Sequence, residues 1–212
     1  MVIVDRNRRK DKKMKKALLI LGIFVVVIIG FLFLKPGPDL KEYEHLKNPQ
    51  ISLKPVQNML VVEFQGDPNK SGKQIFSKLF GTFYQLKSKN KEVKMAAPRA
   101  RWSNIGKTKD EMLGIYGIPL PDSISELPAQ KQEEPMVKLD KWAYGEVAEI
   151  LHIGSYSEET PSIEKLMKYI KDNGYEIAGP HEEEYLRGPE NIFRSPKDYW
   201  TIIRYNVKKK AS

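Results

Sequence analysis

Residues 17–34 read ALLILGIFVVVIIGFLFL, eighteen consecutive positions without a charge or a strongly polar group. Wound as a helix at ~1.5 Å per residue, the run is about 27 Å long, close to the ~30 Å hydrocarbon core of a bilayer. Its apolar residues are continuous rather than periodic, so it does not read as one stripe of a half-buried helix. A cleaved signal peptide has an apolar region of ~7–15 residues and then a small-x-small site. Here the run is longer and passes into KPGPDL, which offers no such site. The expectation is an uncleaved transmembrane signal anchor over 17–34, with the lipid bilayer as its partner.

The charge agrees with an anchor. The 212 residues carry 36 Lys and Arg against 27 Asp and Glu, a formal net charge of +9. Such a balance first suggests nucleic acid or an acidic surface. However, Arg6, Arg8, Arg9, Lys10, Lys12, Lys13, Lys15 and Lys16 all precede the apolar run, against only Asp5 and Asp11. Most of the excess is therefore local, and no nucleic-acid partner is expected. Lys and Arg are retained on the cytoplasmic side. Residues 1–16 are then a basic cytoplasmic tail, and the chain after the anchor is extracytoplasmic, on the periplasmic or extracellular side. There is no cysteine, which excludes disulfides, thiolate metal sites and a cysteine nucleophile. Three histidines, His45, His152 and His181, argue against a His-rich metal site. Neither a metal nor a cofactor is expected.

Pro36, Pro38 and Pro49 among polar residues mark 35–54 as a linker. A domain follows over 55–210. Its first half has an apolar strand run at 59–65 (MLVVEFQ) and a break at Gly66-Asp67-Pro68. A helix over 71–87 carries Ile75, Phe76, Leu79, Phe80, Phe83 and Leu86 on one face. Strands are expected at 96–102 and 111–120. The second half has a strand at 144–152 and a turn at 154–159. A helix starts at an N-cap Thr160 with Pro161 following, is lined by Ile163, Leu166, Met167 and Ile170, and stops at Gly174. Then come one bent strand or a strand pair over 175–186 and a final strand over 199–207. The halves, about 55–121 and 142–208, correspond loosely. The expected fold is therefore α+β, a duplicated β-α-β-β repeat with pseudo-twofold symmetry. Two small sheets would join edge to edge or face to face, with a central cleft.

The second half carries a recognisable pattern. EILHIGSY (149–156) supplies His152, Gly154 and Tyr156, and AGPHEEEYLRGP (178–189) supplies Glu183, Tyr185 and Pro189. This resembles the GyrI-like effector-binding domain family. The resemblance implies two β-α-β-β repeats around a cleft that takes amphipathic or cationic aromatic molecules. It also implies that the motif glutamate faces the ligand amid tyrosines and tryptophans. Some relatives resemble hydrolases of cyclopropane-bearing toxins.

On a strand, Glu183 and Tyr185 share one face, while Glu182 and Glu184 share the other. A register shift by one residue would exchange Glu184 for Glu183. A carboxylate buried among aromatics is costly, and a ligand cation relieves that cost with cation–π gains of ~0.5–2 kcal/mol per contact. The candidate ligand-binding residues are Glu183, Tyr185, Trp102, Tyr156, Tyr116 and Trp142. Phe64, Tyr84, Tyr144 and Trp200 form a wider set. Arg99 and Arg101 lie beside Trp102 in sequence and would tune the site toward anionic or neutral ligands. His152 reads as a locally bonded turn residue. The function expected is a membrane-anchored module binding a small aromatic or amphipathic molecule. A hydrolase using Glu183 is the alternative, and a membrane adaptor, which needs inverted topology, is a lesser one.

Overall fold

The computed structural model describes residues 39–103, 111–130, 133–189 and 194–211. The apolar run at 17–34 and the basic tail lie outside the described residues. Among the described residues, no helix is long and apolar enough to cross a membrane.

Eight strands form one antiparallel sheet: β1 (Gln50–Lys54), β2 (Gln57–Gln65), β3 (Arg99–Ser103), β4 (Leu113–Pro119), β5 (Val137–Trp142), β6 (Gly145–Ile153), β7 (Tyr175–Arg187) and β8 (Trp200–Lys209). Their order across the sheet is β1-β6-β8-β7-β3-β4-β2-β5. Two helices, α1 (Pro68–Lys89) and α2 (Thr160–Asp172), connect β2 to β3 and β6 to β7. The fold is α+β, and the strands join edge to edge, with β3 against β7 at the centre.

One expectation is corrected and one strand was not foreseen. Residues 40–54 do not form a spacer: Leu40–Lys47 is a 3-10 helix and Gln50–Lys54 is an edge strand. Pro49, one of the prolines that suggested a linker, and Pro55 flank that strand, and an edge strand tolerates flanking prolines. Strand β5 was missed because VKLDKW buries only Val137 and Trp142, too irregular a pattern to read as alternation. The 175–186 stretch, expected as one bent strand or a strand pair, is one long strand, irregular between Ile177 and His181.

Periodicity sets the packing. Ile75, Leu79, Phe83 and Leu86 of α1 are buried on Leu60, Val62, Ala100, Trp102 and Ile118. Each such side chain stabilises the fold by ~1.5–3 kcal/mol. Helix α2 lays Leu166 and Ile170 on Ala148, Ile150, Ile203 and Tyr205. Met167, read as part of that face, is instead exposed. The helix begins at the expected cap itself, Thr160, so the cap lies one residue earlier: Glu159 is the N-cap and makes no side-chain capping bond. Gly174 ends α2 at φ 79°, a conformation that disfavours other residues. Leu151, Leu186 and Ile202 alternate away from the helices. They pack with Leu46 of the 3-10 helix, so that segment covers the opposite face of the sheet.

Gly114 shows how tightly the first half is packed. A Cβ there would enter the ring of Phe64 and press on Trp102. Phe64 in turn stacks on Tyr116 at 4.8 Å. Gly114→Ala is expected to cost about 1–3 kcal/mol by overpacking. Thermal unfolding would read this as a lowered midpoint, and an unchanged midpoint would contradict the packing.

Candidate functional site

Strand alternation sorts the central strands into two chemically different faces. On β7, His181, Glu183 and Tyr185 point toward the helices, and on β3 so do Ala100 and Trp102. Glu182 and Glu184, with Arg99 and Arg101 of β3 and Arg204 of β8, point the other way. The register pairs Ala100 with Glu183 and Arg101 with Glu182. This settles which carboxyl joins the aromatics: Glu183 does, whereas Glu184 bonds Arg204 and pairs with Arg99 on the far face.

Glu183 is the centre of the helix-side site. Tyr185 donates its hydroxyl to Oε2 at 2.5 Å, and His181 Nε2 lies 2.9 Å from Oε1. The other nitrogen of His181, Nδ1, is 2.8 Å from the Tyr205 hydroxyl. Burial alone would raise the Glu183 pKa, but His181, Tyr185 and the Trp102 N–H outweigh it and hold the carboxyl below its ordinary value. The Trp102 indole nitrogen nevertheless has no hydrogen-bond partner of ordinary geometry, although it is buried. Burial and the neighbouring Glu183 charge push the Tyr185 hydroxyl well up, so it remains a donor.

Aromatic rings surround this carboxylate. Tyr156 meets Tyr185 edge-on at 5.5 Å, and Tyr199 lies 5.3 Å beyond Tyr156. On the α1 side, Trp102 meets Tyr116 edge-on at 5.7 Å, and Phe76 of α1 lies 4.1 Å from Tyr116. Burial, then Glu183, raises the Tyr116 pKa, which places that phenol near the same charge. The structure thus brings together Glu183, Tyr185, Trp102, Tyr116 and Tyr156. The Tyr156 turn is held by His152, whose ring nitrogens meet Ser162 Oγ at 3.0 Å and the Ser155 carbonyl at 3.1 Å. Gly154, at φ 147°, lets the chain pass His152, because a Cβ there would sit 3.1 Å from the imidazole.

Trp142 is not part of this group. It is 1% exposed and packs with Met59, Val61, Tyr144 and Val147 on the opposite side of the sheet. Its ring lies 3.9 Å from the Arg101 guanidinium. Arg99 and Arg101 also leave the site, since neighbours along a strand project to opposite faces. Of the wider aromatic set, Phe64 packs on Trp102 and Tyr116. Tyr84 is exposed, Tyr144 joins Trp142, and Trp200 packs with Leu186 and Ile202.

Two members of the site were missed by sequence reasoning. Glu159, at the start of α2, is 6% exposed, and its Oε1 is buried without a hydrogen-bond partner. Ligand atoms of Glu159, His181 and Glu183 all lie within 4.8 Å of one another. Burial, then the charge of Glu183, raises the Glu159 pKa to about 9. His181 sits inside the motif string, two residues before Glu183, and period two alone places it on the same face. Glu159 had no such signal, since EETP reads simply as a helix start.

The architecture, an antiparallel sheet with two helices over one face and an acid–aromatic cluster beneath them, defines an α+β small-molecule-binding class. The GyrI-like small molecule binding domain matches residues 47–203, and the chain belongs to that family. In fold it is similar to an uncharacterized conserved protein from Listeria innocua (21% identity, 80% of this chain and 97% of that one, TM-score 0.66). It is also similar to a hydrolase from Listeria innocua (19% identity, 80% and 96%, TM-score 0.62). A third likeness is to the C-terminal domain of EcmrR (15% identity, 77% and 98%, TM-score 0.53). No curated protein sequence matches the chain significantly.

Proposed function

We propose that this chain is a membrane-anchored binding module for a small aromatic or amphipathic cation, held in a cleft between two β-α-β-β repeats. The observation that carries the reading is the ionised Glu183, mostly buried under Trp102, Tyr116, Tyr156 and Tyr185. A monocation seated there replaces lost hydration with charge and π contacts. The repeat reading is supported by the strand order, in which β2-β4-β3 on one side of the centre mirrors β6-β8-β7 on the other. The test is binding of rhodamine 6G, a fluorescent lipophilic cation, to the full-length chain in detergent micelles. Saturable binding is expected, with a neutral dye of similar size bound more weakly. Equal binding of both dyes would remove the role of Glu183.

The proposed placement has residues 17–34 spanning the bilayer, residues 1–16 in the cytoplasm and the domain outside. An alkaline phosphatase fusion after Val207 is expected to be active in a bacterial host, and a fusion active only as a cytoplasmic reporter would reverse the orientation. A second reading, a hydrolase of electrophilic small molecules, is favoured by one observation. Two carboxyls, Glu159 and Glu183, meet at one wall of an aromatic site. Turnover of a strained cyclopropane that disappears in Glu183→Gln would move the assignment to that reading.

A further inference from the structure

Glu159, His181 and Glu183 bring two carboxyls and an imidazole together from two different elements, the start of α2 and strand β7. Each offers a donor atom whose orientation is already fixed or which makes no hydrogen bond of ordinary geometry. Tyr185 occupies Oε2 of Glu183, which leaves Oε1 toward His181. The Tyr205 hydroxyl bonds Nδ1 of His181, which leaves Nε2 facing inward. Glu159 Oε1 is buried and makes no hydrogen bond of ordinary geometry, although the Glu159 carboxyl lies against Glu183. Outer partners that fix a ligating histidine and carboxylate in this way are a regular feature of metal sites.

A separate observation points to an exogenous group. Trp102 is 8% exposed, and its indole N–H, close enough to Glu183 to help lower that carboxyl's pKa, makes no hydrogen bond of ordinary geometry. Buried donors are seldom left unpaired, because each costs ~1–3 kcal/mol. A metal-bound water or ligand oxygen would supply the missing acceptor, and the metal itself would supply a partner for Glu159.

We propose that Glu159, His181 and Glu183 form a binding site for one divalent transition ion, with an open position toward Trp102. The donor set is two carboxylate oxygens and one imidazole nitrogen, with no thiolate. That chemistry suits Zn²⁺, Co²⁺, Mn²⁺ or Fe²⁺ rather than copper(I) or an iron–sulfur cluster. A dication would displace the protons held in this cluster and balance the two carboxylates that remain. The lack of cysteine and the scarcity of histidine exclude the commonest structural zinc sites but leave this one open. The inference goes beyond the binding of an organic cation and does not depend on it, though both ligands would engage Glu183.

The test is titration of the chelator-stripped, full-length chain with Co²⁺ in detergent micelles, followed by visible absorption, with Zn²⁺ as the displacing ion. The expected result is one equivalent of Co²⁺ per chain, d–d bands of a low-coordinate site, and loss of those bands on adding Zn²⁺. Glu159→Gln and His181→Asn are each expected to weaken binding by about 10–100-fold. Thermal unfolding without metal shows whether each variant is folded. If a variant fails to fold, stabilisation of the wild-type chain by Zn²⁺ decides instead. No stoichiometric Co²⁺ binding, or binding unchanged in both folded variants, would overturn the site. Rhodamine 6G separates this result from the functional reading. A chain that binds the dye but no metal overturns this inference alone, whereas metal binding without dye binding supports it. Competition between the two supports it as well.

Discussion

Arg204→Met will unfold at a markedly lower temperature than the wild-type chain, with a loss of about 3–5 kcal/mol. Arg204 is 2% exposed and stands among three carboxylates on the face away from the helices. It donates to Glu149 at 2.7 Å, to Glu182, and to Glu184 at 2.9 Å. Tyr144 and Arg101 add bonds to Glu182 at 2.9 and 2.8 Å, and Lys54 pairs with Glu149 at 3.2 Å. Burial alone would lower the guanidinium pKa, but the three carboxylates outweigh it and raise it, so the charge is permanent. Methionine fills similar space but leaves Glu149, Glu182 and Glu184 short of a cation in a site closed to water. At ~2–4 °C per kcal/mol for a chain of this size, the midpoint should fall by about 10 °C. A midpoint within a degree or two of wild type would mean that the network is not a structural centre. The network also fixes the acid limb. Burial raises the Glu184 pKa, but Arg99 and Arg204 outweigh it, so the carboxyl is held below its ordinary 4.5. A lowered folded-state pKa gives stability that is present above the unfolded value and lost as pH falls through the folded one. Wild type should therefore weaken below about pH 4. Glu184 loses one of the cations around it in Arg204→Met, so that acid-sensitive part should shrink.

Glu183→Gln should lose at least about tenfold in affinity for rhodamine 6G, or ~1.4 kcal/mol, while its binding of a neutral dye of similar size changes little. The amide keeps the shape of the side chain and removes only the charge. It also disturbs its neighbours, because Tyr185 and His181 now meet a carboxylate that accepts from both. The comparison between charged and neutral ligands separates that rearrangement from the electrostatic loss. A variant that retains full affinity for the cation would assign recognition to the aromatic rings alone.

The parts of the site that were legible in the sequence depended on a short local period. Glu183 and Tyr185 are two apart on one strand, so their common face follows from the pleat once the strand is recognised. Trp102 and Tyr116 follow in the same way, since each lies on the helix side of its own strand. What period two cannot show is which strands are neighbours, and that is how Trp142 was misplaced. It is aromatic and at a strand end, yet β5 runs along the far edge of β2. Arg99 and Arg101 were misread because closeness in sequence to Trp102 is separation through the thickness of the sheet. Glu159 was invisible for a different reason. Its carboxyl reaches Glu183 from another element, and no pattern in EETP distinguishes a buried acid from a solvated helix start. The 40–54 segment was hidden by Pro49 and the prolines before it, although Ile51 and Leu46 find apolar partners in the folded chain.

The outermost strands of the sheet are exchanged. Gln50 of β1 pairs with Glu149 of β6, while Gln57 of β2 pairs with Trp142 of β5. During synthesis β1 emerges first and has no partner until β6 follows, so neither half is a complete folding unit. A chain cut in the 121–136 connection would yield two pieces, each carrying an edge strand that belongs to the other. Such pieces should regain order only when mixed. The domain is therefore a single cooperative unit dominated by distant pairings, a topology that folds slowly and loses its structure all at once.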